Sequence, residues 1–250
     1  MDEFRLLPLG VGDAFSARYY SSSLALEAVG QWLLVDCPHP IRKILREASA
    51  TAGFVLDLPL INAVVLTHLH ADHASGLEGL GFFCRFVLGT RLPLITPPEV
   101  AADLWSRSLA AGMEWSLQEM GAPPVRRTVE EFFDVIALPP GVTYTQGPFA
   151  IRFRPTVHNI PTVAVRVRAA DRTLGYSADT IFDPGLIAWL EDADLVVHEA
   201  SGGFMHTPYE NLAALPEPLR KKMRLIHYPD SFSIADTTIE VLRQGHVCVI

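Results

Sequence analysis

The chain has 250 residues, of which 49% are hydrophobic, and 20 basic against 28 acidic residues give it a net charge of −8. That length buries one substantial core, and that apolar fraction excludes a disordered polymer. The only cationic cluster is Arg220, Lys221, Lys222 and Arg224, which argues against a large nucleic-acid face, because tracking phosphates needs clustered positive charge.

The first residues, MDEFRLLPLG, place acids where a secretory leader carries Lys or Arg. No apolar run is long enough to span a bilayer. FRLLPLG, SLALEAV and QWLLVD read as three strands, broken at Ser21-Ser22-Ser23 and Gly30-Gln31. PIRKILREASA sets Ile41, Ile44, Leu45 and Ala48 at helical spacing behind Pro40. INAVVLT is a buried-strand run that delivers Thr67 and His68 at its end. A helical pattern runs from Pro97 to about Met120, followed by proline breaks at Ala122-Pro123-Pro124 and Leu138-Pro139-Pro140. FAIRFRPTV, TVAVRV and RTLGYSA read as strands, PGLIAWLEDA as a short helix and DLVVHEA as a strand. A helix through NLAALPEPLRKKM, the strand LIHY and the terminal LRQGHVCVI complete the chain. With no repeat, linker or low-complexity tract, one α/β domain over residues 1–250 is expected. Cys37, Cys84 and Cys248 lie far apart and form no C-x-x-C pair, so neither a disulfide framework nor a cysteine zinc knuckle is expected. A cytoplasmic protein without a membrane partner follows as the expectation.

THLHADH, Thr67 to His73, concentrates three of the chain's nine histidines where a strand ends and a helix begins. In extended backbone, residues two apart point the same way, so His68 and His70 can grip one ion. Asp72 and His73, on the first turn of the helix, are offset enough to reach a second. Imidazole and carboxylate donors without cysteine suit Zn²⁺, with Mn²⁺ or Fe compatible with the same set.

This segment resembles the H-x-H-x-D-H signature of the metallo-β-lactamase superfamily, and the resemblance extends over nearly the whole chain. LGVGDAF with SLALE is similar to that family's first strands, and QWLLVDCP to its strand ending in an aspartate. PTVHN (His158), YSADT (Asp179) and LIHYPD (His227) follow in the family's order. The resemblance implies a four-layer αββα sandwich, with two mixed sheets face to face and helices outside. It also implies two divalent cations. His68, His70 and His158 would hold one, Asp72, His73 and His227 the other, and Asp179 would bridge them. Cations about 3.5–4 Å apart repel, which a shared carboxylate and a shared hydroxide offset, and the same pair makes hydroxide available at neutral pH. Asp72 would also hold and orient the attacking water. Alanine stands in Ser177-Ala178-Asp179 where the family often has glycine.

DLVVHEASGGFMHTPYENL resembles the HEA(T)…H-S/T segment of the ribonuclease Z-like phosphodiesterase branch, through His198, Glu199, Ala200, His206 and Thr207. In that branch a histidine at the position of His206 protonates the leaving oxygen, and an acid like Glu199 orients it; an alkoxide leaving phosphorus needs that proton. His198, at a strand end, reads as structural. The branch is usually homodimeric, and here a dimer would be built partly from residues 36–120. Ser177, Thr180 and Thr207 are candidate substrate donors, and Phe82, Phe83, Trp105, Trp115, Phe204 and Tyr209 candidate rim aromatics, although aromatics at such spacing are mostly core.

The leading expectation is a dinuclear-metal phosphodiesterase acting on a small, cyclic or linear, nucleotide. A ribonuclease Z-type RNA 3′-end endonuclease is the second reading. Between His73 and His158, however, VRRTVEE is the most basic point and acids follow it at once. A sulfatase or lactonase on the same fold is the third, and a metal-bearing structural module without activity the fourth.

Overall fold

A computed structural model of the protein describes residues 3–250. The first half lays down β1 (Phe4–Gly10), β2 (Ser23–Ala28), β3 (Gln31–Val35), α1 (Ile41–Thr51), β4 (Ile61–Val65), α2 (Ala71–Ala74), α3 (Leu77–Phe82) and β5 (Leu92–Thr96). Then come α4 (Pro98–Leu104), α5 (Ala110–Met113), the ribbon β6 (Trp115–Ser116) with β7 (Val125–Arg126), and β8 (Phe133–Ala137). The second half comprises β9 (Thr143–Gln146), β10 (Phe149–Pro155), β11 (Val163–Ala169), β12 (Arg172–Tyr176), α6 (Pro184–Leu190), β13 (Leu195–Glu199), α7 (Tyr209–Ala213), α8 (Glu217–Lys221), β14 (Met223–Ile226), β15 (Glu240–Val241) and β16 (Cys248–Val249).

Two seven-stranded sheets result, in the orders β16-β1-β2-β3-β4-β5-β8 and β15-β14-β13-β12-β11-β10-β9. Each is antiparallel on one side, and β3-β4-β5-β8 and β12-β13-β14-β15 form its parallel side. Alternation along the strands assigns the layers. Leu33, Ala63 and Val65 join the core between the sheets, where they meet Ile151, Val165 and Val197. Their neighbours Leu34 and Val64 face outward onto Ile44, Leu45 and Leu80 of the helices. A central parallel strand covered on both faces must be apolar almost throughout, and β4 is buried at every position but Asn62. The architecture is the αββα sandwich.

The long helix expected from Pro97 to Met120 ends at Met113 and contains a wider turn over Trp105–Leu109. Beyond it Leu117 and Met120 are exposed and offer no buried face to continue a helix. The backbone is instead captured by β7: the Arg127 N–H donates to the Glu114 carbonyl at 2.6 Å and Trp115 pairs with Arg126. The helix expected through NLAALPEPLRKKM splits into α7 and α8, because Pro216 has no N–H to donate and restricts Leu215. β5, β8 and β9 carry weak sequence signals. Pro93 interrupts the first, and the polar TYTQ of the last forms a sheet edge.

Candidate metal centre

All seven expected ligands lie just beyond the C-terminal ends of strands, on one rim of the sandwich. His68, His70, Asp72 and His73 follow β4, His158 follows β10, Asp179 follows β12, and His227 follows β14. They form two groups sharing one member: His68, His70, His158 and Asp179, and Asp72, His73, Asp179 and His227, with the ligand atoms of each group within 4.8 Å of one another. Asp179 Oδ2 faces the Nε2 atoms of His227 at 3.5 Å, His158 at 3.6 Å and His68 at 3.7 Å. Its Oδ1 faces His73 Nε2 at 3.3 Å. One carboxylate thus spans both groups.

Outer hydrogen bonds fix which ring nitrogen each histidine offers. Thr67 Oγ1 donates to Asp36 and accepts from His68 Nδ1 at 2.9 Å. His73 Nδ1 donates to Asp36 Oδ2 at 2.8 Å, and His158 Nδ1 to the Met205 carbonyl at 3.2 Å. Ser22 Oγ donates to the Gly12 carbonyl and accepts from His227 Nδ1 at 3.1 Å. With the Nδ1 proton so engaged, each of these rings presents a bare Nε2 to the centre. His70 is turned the other way, its Nδ1 lying 3.1 Å from His158 Nε2. Asp36 and Ser22 are functional residues that the sequence reading did not single out. The strand-end aspartate of QWLLVDCP was the available signal for the first; nothing local marks Ser22.

Backbone strain collects at the same rim. Asp36, Ala178 and His227 all have positive φ, at 60°, 48° and 56°, a region that side chains other than glycine rarely adopt. Ala178, immediately before Asp179, holds that conformation without a glycine's freedom.

His68 Nε2, His73 Nε2, Asp72 Oδ2 and Asp179 Oδ1 are buried without any hydrogen-bond partner among the described residues. Each such orphan costs about 1–3 kcal/mol if left unsatisfied, so four of them converging mark a place built for another species. Burial pushes the His68 imidazole well below its ordinary pKa and lowers His70 and His158 too, which keeps them neutral, as ligands must be. Burial also works against the Asp179 carboxylate, but His227 and His73 outweigh it and hold its pKa well below the ordinary value. Asp72 is likewise brought down to about 2, against its burial, by His73. His73 rises well above its ordinary value despite full burial, because Asp179 and Asp36 flank it. Neutral imidazoles at His68, His70 and His158, and a His73 drawn up by the carboxylates in the absence of a cation, fit a site for divalent metal, in which His68, His70 and His158 would form one ligand group, Asp72, His73 and His227 the other, and Asp179 would belong to both.

Asp36 supports this set without joining it, since it accepts from the Thr67 N–H and hydroxyl as well as from His73. In Asp36→Asn an amide donor can face His73 Nδ1 and push the proton to Nε2, the ligand atom. Metal affinity is then expected to fall about 10–100-fold, read by equilibrium metal titration; an unaltered affinity would reduce Asp36 to a folding element.

Glu199 and His206 come together beside the metal groups. His206 Nδ1 donates to Glu199 Oε1 at 3.0 Å, and Glu199 is fixed by the N–H groups of Thr180 at 2.7 Å and Ser201 at 3.2 Å. The His206 ring centroid lies 5.2 Å from that of His158 and 5.3 Å from that of His227. Burial disfavours the charged imidazole, but the Glu199 carboxylate prevails and raises its pKa. His198 is fully buried, donates Nδ1 to the Glu199 carbonyl at 2.8 Å, is lowered by burial to about 4, and belongs to neither metal group. The hydroxyls of Ser177, Thr180 and Thr207 are turned into the fold, onto the carbonyls of Ala178, Ile181 and Thr180. Phe82, Phe83 and Trp105 pack against the helix-side core, and Tyr209 is tied to Thr238. Phe204 alone of these aromatics projects fully into solvent within the loop that carries His206, whereas the partly exposed Trp115 sits on the β6–β7 ribbon.

The arrangement suits metal-assisted hydrolysis, and the comparisons agree with its parts. The solved metallo-β-lactamase fold protein YhfI from Bacillus subtilis superposes with a TM-score of 0.77 at 21% identity, over 99% of this chain and 100% of that one. Human tRNase Z, short form, superposes with a TM-score of 0.70 at 18% identity, over 98% of each chain. At those identities the likeness concerns the fold. The Anti-Pycsar protein Apyc1 of Bacillus phage 010DV004 is 33% identical, with 98% of each chain aligned. The family model described as Anti-Pycsar protein Apyc1 matches residues 4–248, and the chain therefore belongs to the Anti-Pycsar protein Apyc1 family.

Proposed function

We propose that this protein is a dinuclear-metal phosphodiesterase that hydrolyses a small cyclic nucleotide. The observation that carries this reading is the His206–Glu199 pair: its imidazole lies against one histidine of each metal group while a buried carboxylate holds its Nδ1. Such a placement is wasted on a leaving group that departs unaided and fits an alkoxide. Two divalent cations, most suitably Zn²⁺, would when bound supply Lewis-acid polarisation of the phosphoryl oxygens and a nucleophile at neutral pH. Asp72 orients the attacking water through its carboxylate. His206 delivers the Nε2 proton to the departing ribose oxygen while Glu199 stabilises the imidazolium.

Charge supports a small substrate over RNA. Between His73 and β8, Arg85, Arg91, Arg107, Arg126 and Arg127 each pair with a carboxylate, of Glu131, Asp134, Asp103, Glu114 and Glu131 in turn. Neutralised in place, they leave little to exchange for phosphate. A panel of 3′,5′-cyclic nucleotides, bis-p-nitrophenyl phosphate, a pre-tRNA and a lactone tests the reading. Ring opening to a nucleoside monophosphate with the pre-tRNA uncut is expected. Cleavage of pre-tRNA or lactone without attack on any cyclic nucleotide would overturn it, and inactivity on all four would favour a structural module.

We further propose a homodimer built partly from residues 36–120. Phe86 and Val87, on the helical turn after α3, are 55% and 65% exposed, an apolar outlay that a partner surface would cover. Sedimentation should show a dimer of the 27.5 kDa chain at micromolar concentration; a monomer alone would refute it. No helix among the described residues is long and apolar enough to cross a membrane. The three thiols are free, which agrees with the reducing cytoplasm proposed as its location.

A further inference from the structure

The loop between β1 and β2 (residues 11–22) wraps the segment that follows β14 (residues 227–230). Tyr228, next to the ligand His227, is held at both backbone groups. Its N–H donates to the Val11 carbonyl at 3.2 Å, and its carbonyl accepts from the Asp13 N–H at 3.3 Å. The Tyr19 ring meets that of Tyr228 edge-on at 5.4 Å. Two residues further on, the Asp230 carboxylate enters the loop. Its Oδ1 accepts from the Ser16 hydroxyl at 2.5 Å and the Arg18 N–H at 3.3 Å, and its Oδ2 from the Ala17 N–H at 2.9 Å. The Arg18 guanidinium donates to the Asp230 carbonyl at 3.4 Å. One side chain thus ties down three consecutive loop residues.

The same loop ends at the metal centre. Ser16 lies so close over Gly12 that a β-carbon on Gly12 would stand 2.7 Å from the Ser16 Cβ. The Gly12 carbonyl accepts both the N–H of Ser22, at 3.1 Å, and its hydroxyl, at 3.0 Å. That bond uses the hydroxyl proton, so the Ser22 oxygen meets His227 Nδ1 as an acceptor, at 3.1 Å. His227 has a φ of 56°, a conformation that persists only where the surroundings brace it. A contiguous path therefore runs from Asp230 through Ser16, Gly12 and Ser22 to His227. Asp230 itself belongs to neither ligand group. We propose that Asp230 is a positioning residue for the metal centre. By pinning the loop it fixes the Ser22 oxygen, and with it the ring nitrogen that His227 offers to Asp72 and His73. This inference rests on the metal-binding reading of the site.

A competition titration with Zn²⁺ against a chelating dye tests it. Ser22→Ala removes the acceptor of His227 Nδ1 and should weaken one of the two binding steps about tenfold, the low end for outer partners of a metal ligand. Asp230→Ala should weaken the same step comparably, and Asp230→Asn, which keeps one acceptor oxygen, should weaken it less. The double variant of Ser22→Ala with Asp230→Ala should bind no worse than Ser22→Ala, because both changes cut one path. Nitrogen NMR of the metal-free protein, well above the ordinary imidazole pKa, reads the ring directly. His227 should carry its proton on Nδ1 in the unaltered protein and partly on Nε2 in Asp230→Ala. An unchanged His227 tautomer, additive losses in the double variant, or equal weakening of both steps with a lower unfolding temperature would leave Asp230 a folding element. If the unaltered protein binds no Zn²⁺, the metal reading fails, and the tautomer in Asp230→Ala still decides whether Asp230 governs His227.

Discussion

Asp179→Ala is expected to abolish hydrolysis and to leave the protein with little of the roughly two ions per chain that a two-metal centre holds. The reason lies in how many groups converge on that one side chain. Nε2 atoms of His68, His73, His158 and His227 all stand within 3.3–3.7 Å of its oxygens. Without the carboxylate, a pair of cations held there would lose a shared ligand and the negative charge between them, and their mutual repulsion would no longer be offset. Asp179→Asn keeps the shape but not the charge and should fall close to the alanine variant. His68→Ala, by contrast, removes a ligand of one group only. Elemental analysis of the purified variants provides the count. Thermal unfolding with and without added Zn²⁺ provides a second readout, because a cation bound to the native state raises its stability. Full turnover after exhaustive chelation would sink the dinuclear centre altogether.

His206→Ala has the next largest expected effect, a fall in turnover of about 10²–10⁴-fold with metal content unchanged. His206 is no member of either metal group, yet its ring stacks at 5.3 Å from His227 and meets His158 edge-on at 5.2 Å. Its Nδ1 is committed to Glu199, so only Nε2 is available to give a proton outward. The loss should shrink with bis-p-nitrophenyl phosphate, whose phenolate departs without a proton. Glu199→Gln should produce a smaller loss of the same kind, since an amide oxygen can still accept from Nδ1 but stabilises the imidazolium less. Equal losses on activated and unactivated diesters, or loss of metal in His206→Ala, would assign His206 a structural role.

Much of this centre is legible before any coordinates. The run from Thr67 to His73 holds four donors within one turn of chain, so local geometry alone is enough to propose a metal. His158, Asp179 and His227 are single polar residues after apolar strands, and each alone reads as an ordinary strand end. Only their order, matched to a family, joins them to the first four. The supporting shell is less legible. Ser22 and His227 are 205 positions apart, and what brings them into contact is the closing of the two sheets against each other. Among the elements, α1 and the buried strands are clear because their apolar periods are strong. The segment after Met113 defeats a helical reading because β7, arriving from beyond a proline-rich turn, offers the backbone other partners.

By itself, then, the sequence indicated the run of strands and helices of one α/β domain, through apolar patterning, and the αββα layering only through its resemblance to a family. It also determined the identity of the donors, because residue chemistry is local. Tertiary structure decided which ring nitrogen each histidine presents, that Asp179 faces both groups, and that Glu199 stands behind His206. It also decided that Ser177, Thr180 and Thr207 turn inward. These are matters of direction and distance between residues far apart in the chain. Side-chain orientation at such a rim is set by whichever hydrogen-bond partners the packed sheets bring within about 3 Å, and no local pattern encodes those partners.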